Sequence, residues 1–149
     1  MSEGAAVSPA TGARRRAREA AFRVAFQADV AGDTYAQAWD AAREKGEKLS
    51  RDQVELIEDV IRTLESEGPQ VDGALQSALE GWTIARLAAT DRAVLRVAVA
   101  ELLARPGSPA RVVLDEAIEI ARTYGSEESG RFVNGVLDRA ARQLRPAEL

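Results

Sequence analysis

The stretch from Ser129 to Leu144, "SGRFVNGVLDRAARQL", holds the strongest strand signal in the chain, and its reading decides the fold class. Asn134-Gly135 between the apolar pairs Phe132-Val133 and Val136-Leu137 has the form of a tight β-hairpin turn. A hairpin here would have arms of only two apolar residues. Phe132, Val133, Val136, Leu137, Ala140 and Leu144 instead recur at the period of a helix. The segment is therefore expected to be helical, although an interior glycine costs about 1 kcal/mol relative to alanine. A glycine kept at 135 points to close approach of another helix, and Asn134 to a buried hydrogen bond.

Working outward, every other apolar pattern is helical too. A first helix is expected from near Thr11 to about Val30, with Ala17, Ala21, Val24, Ala25 and Ala28 as its core stripe. A second follows a cap at Asp33 or Thr34, presents Tyr35, Trp39 and Ala42, and stops at Gly46. Ser50 and Gln53 form a capping box ahead of the stripe Val54, Ile57, Val60, Ile61 and Leu64, which ends at Gly68-Pro69. A fourth, shorter helix carries Val71, Leu75, Ala78 and Leu79 and finishes at Gly81. "TDRAVLRVAVAELLARPG" is apolar almost all the way round, as expected of a central helix enclosed by neighbours. The next helix is expected to have Ser108 as cap and Pro109 as its first residue, and the last to be capped by Ser126. The expectation is a compact all-α domain of about seven helices over residues 11–146, preceded by a flexible tail, residues 1–10.

Composition narrows the function. The 149 residues are 46% apolar, enough for a real core, and no run approaches the roughly 20 apolar residues of a membrane span. The first residues lack the basic start and greasy segment of a secretory signal, so the cytoplasm is the expected location. Cysteine and histidine are both absent, which excludes disulfides, zinc fingers and Cys- or His-based nucleophilic chemistry. No phosphate-cradling glycine loop, HExxH or GxSxG string occurs. The adjacent carboxylates Asp115 and Glu116 have no metal-binding partner in the pattern. The expectation is a protein that is no enzyme and has no cofactor or metal.

Charge is unevenly distributed. The chain's net charge is −4, yet through residue 23 five arginines face only Glu3 and Glu19. Four of them, Arg14, Arg15, Arg16 and Arg18, crowd the start of the first helix in "GARRRAREAAFRVAF". Such asymmetry fits either a surface that faces a polyanion or a solvated helix end.

Three stretches taken in order resemble the NusB family: "RRRAREAAFRVAF", "DRAVLRVAVAEL" and "PARVVLDEAIEIARTYGSEESGRFVNGVLD". The resemblance runs from Arg14 to Pro146. It implies an all-α RNA-binding protein of two small helical subdomains, without catalytic activity, that is a monomer or homodimer when free. Family members bind boxA-like single-stranded RNA together with NusE, a small-subunit ribosomal protein. Their antitermination complex helps RNA polymerase read through terminators, notably in ribosomal RNA operons. On this resemblance Arg14, Arg15, Arg16, Arg18, Phe26, Arg131 and Phe132 are the expected RNA contacts, and Asp91, Arg96 and Glu116 the expected NusE contacts. Glu128 falls where acids tune complex formation in relatives, although it also complements the helix dipole. Guanidinium groups suit this role because they grip phosphates and stack on bases, and helix N-termini favour anions. Phe22 is expected in the core, and Phe26, beside the arginines, keeps a stacking face where relatives usually carry tyrosine. Ala100 stands where relatives generally carry an aromatic. Replacing the four clustered arginines by alanine is expected to remove most of the salt dependence of RNA binding without unfolding the protein. Two alternatives are a detached RNA-binding domain of a ribosomal RNA methyltransferase and a purely protein-binding bundle with a solvated basic tip.

Overall fold

A computed structural model describes residues 9–46 and 48–149, with side chains from Gly12 onward. The expected N-terminal tail lies, through residue 8, outside the described residues. Among these there is no strand. The helices are α1 (Pro9–Ala31), α2 (Tyr35–Lys45), α3 (Arg51–Ser66), α4 (Gly68–Ala78), α5 (Ala89–Ala104), α6 (Ala110–Tyr124) and α7 (Glu127–Leu144). Short 3-10 turns occupy Ile84–Arg86 and Pro146–Glu148.

Helix α5 is the hub. It packs against α1, α3, α4, α6 and α7, and Leu95, Val99 and Ala100 are wholly inaccessible. Helices α1, α2 and α3 pack together on one side of it, and α4 and α6 both pack on α7 on the other. These are two small groups that share one continuous core. The alanine stripe of α1 lets α5 come close, and Ala17, Ala21, Val24, Ala25 and Ala28 are all buried. On α3 the buried stripe includes Leu56, and Val54 is only half-buried.

Local capping chemistry is as the sequence implies in three places. Thr34, one of the two expected candidates, caps α2, Ser50 with Gln53 forms the expected reciprocal box, and the Ser126 hydroxyl accepts from the Ser129 N–H; the structure adds a second reciprocal box between Thr34 and Gln37. Helix α1 ends at Gly32, whose positive φ of 77° lets its own N–H and that of Asp33 both reach the Ala28 carbonyl.

Three expectations are corrected. Ser108 does not cap α6: Pro109 is the N-cap, and the Ala110 N–H donates to Glu148 Oε1 at 2.7 Å. The cap comes from the chain's last turn, where Arg145 also donates to the carbonyls of Leu102, Arg105 and Ser108. Helix α4 stops at Ala78, short of Gly81. Within α7, Asn134 is exposed rather than buried, and a Cβ on Gly135 would meet only Arg139 Nη1 at 3.7 Å. The close approach occurs about one turn earlier, where a Cβ on Gly130 would lie 2.8 Å from Arg122 Cγ.

Candidate nucleic-acid interface

The structure sorts the four clustered arginines by helix face. Arg18 lies on the stripe of Ala21 and Ala25 and so points at α5. Its Nε and Nη2 donate to Glu101 Oε1 and Oε2 at 2.8 and 2.7 Å, with the side chains only 7% and 1% exposed. Burial works against the guanidinium's charge, but the Glu101 hydrogen bond and charge outweigh it and raise its pKa. Arg18 therefore has no free face for a phosphate, contrary to expectation; it is an internal cross-link between α1 and α5.

Arg15 faces α6. Its Nε and Nη2 donate to Glu116 Oε1 and Oε2 at 2.9 and 2.7 Å, and the hydrogen bond to Glu116 raises the guanidinium pKa despite partial burial. Glu116 is buried by this contact, so it faces Arg15 and not an outside partner. Arg14 and Arg16 are exposed and have no ion pair among the described residues. The cationic tip thus presents two free guanidinium groups and the outer edge of a third.

From this tip a seam runs along α1 and α6. Arg15 meets Glu116, and eight residues further on both helices Arg23 Nη1 donates to Tyr124 Oη at 3.1 Å. The two helices therefore run in the same sense. Phe22 is buried, with its ring centroid 4.8 Å from that of Tyr124 and 6.2 Å from that of Phe26. Phe26 is half-buried at the far end of the seam. Ten residues of helix separate it from Arg16, about 15 Å at 1.5 Å per residue, so it does not lie beside the arginines.

Helix α7 starts three residues after Tyr124 and brings Arg131 and Phe132 to this far end. Arg131 is exposed, Phe132 is half-buried, and both line a surface hollow with Trp82, Asp91, Glu128 and Ser129. Trp82, which sequence reasoning missed, is 51% exposed. Its one signal is a tryptophan in a turn, directly after Gly81 with its positive φ of 80°. The Trp82 carbonyl accepts from Gln76 Nε2 at 2.8 Å, and Arg92 anchors the following turn through the Ile84 and Leu87 carbonyls while pairing with Asp29.

Of the three residues expected to face a protein partner, only Asp91 reaches an open hollow. Arg96 donates through Nε and Nη2 to Asp72 at 3.0 Å each and lies 3.8 Å from Asp29. Burial opposes its charge, but Asp72 wins and its pKa is raised; the same burial raises that of Tyr35. Arg96 thus ties α5 to α4 and α1. Among the described residues no group of three acids could hold a metal ion, and no helix is long and apolar enough to cross a membrane.

The sequence model of the NusB family matches residues 15–142, nearly the whole helical body. The chain belongs to the NusB family. Its similarity to the transcription antitermination protein NusB of Anaeromyxobacter dehalogenans (strain 2CP-1) is 42% identity over 137 residues, covering 92% of this chain and 96% of the relative. The NusB of Myxococcus xanthus is 37% identical over 134 residues, covering 87% and 95%. Among solved structures, T. maritima NusB superposes with a TM-score of 0.79 at 36% identity, covering 92% and 93%. A NusB from a complex of the antitermination factors NusB and NusE with double-stranded RNA superposes with a TM-score of 0.74 at 26% identity, covering 88% and 97%. Against this NusB background, Ala100 is fully buried on α5 and adds no contact surface of its own.

Proposed function

We propose that this NusB-family chain is an RNA-binding antitermination factor that works in the cytoplasm without catalysing a reaction. It binds boxA-like single-stranded RNA together with NusE, and the complex promotes read-through by RNA polymerase, notably in ribosomal RNA operons. The observation that carries this reading is the arrangement at the two ends of α1. Free Arg14 and Arg16 stand at one end, and the hollow with exposed Trp82 and Arg131 stands at the other, on a chain of net charge −4. A strand laid between them meets guanidinium groups that take phosphates and aromatic faces that take bases. The structural likeness to NusB bound to NusE and RNA supports the same partners for this chain.

RNA titration with and without NusE, at two salt concentrations, tests this reading. Three phosphate contacts, at Arg14, Arg16 and Arg131, give a log–log salt slope of about −2 on a single strand. The double variant Arg14→Ala/Arg16→Ala should flatten that slope to roughly −0.7 and keep its helical content. An unchanged titration curve in that variant rejects the assignment.

A further inference from the structure

A groove of about 560 Å³ lies between α1 and α2, and the reading above leaves it unused. After the tight turn at Gly32, α2 packs back on α1, and Ala20, Ala38, Ala41 and Ala42 are too small to fill the space between the two helices. The groove's rim is cationic. Arg23, Arg43 and Lys45 line it against one acid, Asp33, among the described residues, while Asp40 and Glu44 of α2 lie outside it. Arg43 sits 5.4 Å over the Trp39 ring and pairs with Glu58 at 3.1 Å, yet half its side chain is in solvent. Lys45 is exposed and has no ion pair among the described residues.

The groove is continuous with the cationic tip. Arg16, Ala20, Arg23 and Gln27 share one stripe of α1, so the free Arg16 stands one turn before the first residue of the groove. On the opposite wall, the segment that follows α2 leads to Gln53, whose Nε2 donates to the Ala13 carbonyl at 2.9 Å, directly beside Arg14.

We infer that the α1–α2 groove is a second RNA-binding cleft, which takes single-stranded nucleotides flanking the segment held between the tip and the hollow; it rests on the RNA reading above. Lys45 and the solvent-facing edge of Arg43 take phosphates of the flank. The alanine floor, completed by Val24 and Leu49, shelters a base or ribose from water. The cationic rim, on a chain of net charge −4, selects a polyanion as the occupant. A second copy of this chain would set one cationic rim against another. A strand already anchored at Arg14 and Arg16 meets the groove at high effective concentration, an advantage that a separate acidic protein lacks.

The test titrates three strands onto the full chain with NusE present: a short boxA-like oligomer, and the same oligomer lengthened by about six uridines at its 5′ or its 3′ end. One lengthened strand should bind about tenfold more tightly than the short one, with a salt slope steeper by about 1.4 for two added phosphate contacts. In the Trp82→Phe variant the remaining tryptophan is Trp39, which lines the groove, and only that lengthened strand should change its emission. Lys45→Glu should abolish the gain by reversing a charge, and Ala41→Phe by filling the mouth of the groove. Both positions are exposed, so both variants keep the fold. Equal affinity for all three strands, or a gain that survives either substitution, overturns the groove's role and leaves the RNA-binding reading intact. Failure of every strand to bind removes both. Loss of NusE capture by Ala41→Phe with the gain unchanged assigns the groove to the protein partner and overturns the proposal.

Discussion

Arg18 and Glu101 form a two-pronged ion pair across the core, with donor–acceptor distances of 2.8 and 2.7 Å and almost no solvent contact. Removing one partner strands the other charge inside the α1–α5 interface. Arg18→Ala is expected to destabilise the fold by about 3–5 kcal/mol, measured by urea denaturation. The double variant Arg18→Met/Glu101→Leu should recover most of that loss, because it buries no charge. The four-arginine alanine variant is thus expected to unfold, contrary to the sequence-based expectation, and only Arg14 and Arg16 are clean probes of RNA binding.

Glu116 is expected to matter for stability and not for partner capture. Its carboxylate is engaged by Arg15, whose own side chain is 41% exposed, so solvent screening keeps the pair's worth small. Glu116→Gln should cost on the order of 1 kcal/mol of stability and leave NusE binding unchanged in a pull-down. Reduced capture by a fully folded Glu116→Gln protein contradicts the geometry.

Gly135 has room for a side chain. The nearest atom to an added Cβ is the end of flexible Arg139, at 3.7 Å, and the backbone is ordinary helix. Gly135→Ala should raise stability by about 0.5–1 kcal/mol through the restricted unfolded state. A fall in melting temperature refutes this, and implies a helix–helix contact at Gly135 that the structure does not contain.

Glu148 makes the α6 cap sensitive to acid. The backbone hydrogen bond from Ala110, followed by that from Arg145, holds its carboxyl below the ordinary value of 4.5. A depressed folded-state pKa adds stability above the ordinary value, and that stability fades as pH falls through the folded value. Glu148→Gln should therefore melt lower than wild type at neutral pH, and the gap should close below pH 4.5. A gap that stays constant down to strong acid excludes the carboxylate as its source.

Local chemistry was readable along the chain wherever the partners were close in sequence. The Ser50–Gln53 box joins residues three apart, and the alanine stripe of α1 repeats within a few turns. Even the Asn134-Gly135 ambiguity resolved correctly, because a helical period outlasted a two-residue turn signal. The α6 cap was not readable, since Glu148 lies 38 residues from Ala110 and only the folded C-terminal turn brings them together. Trp82 was missed for a related reason: its exposure depends on where α4 stops and how Gln76 and Arg92 hold the turn.

The NusB character of the chain, its helical class and the concentration of positive charge at the start of α1 follow from residue types and their spacing. Which of those arginines remains available to a ligand does not. Arg18 is buried with Glu101 opposite it, 83 residues away, whereas Arg14 one turn earlier is exposed, and Arg96 and Glu116 are likewise claimed by Asp72 and Arg15. A guanidinium binds whichever carboxylate the packed helices place within about 3 Å, and that neighbour is chosen by the tertiary fold.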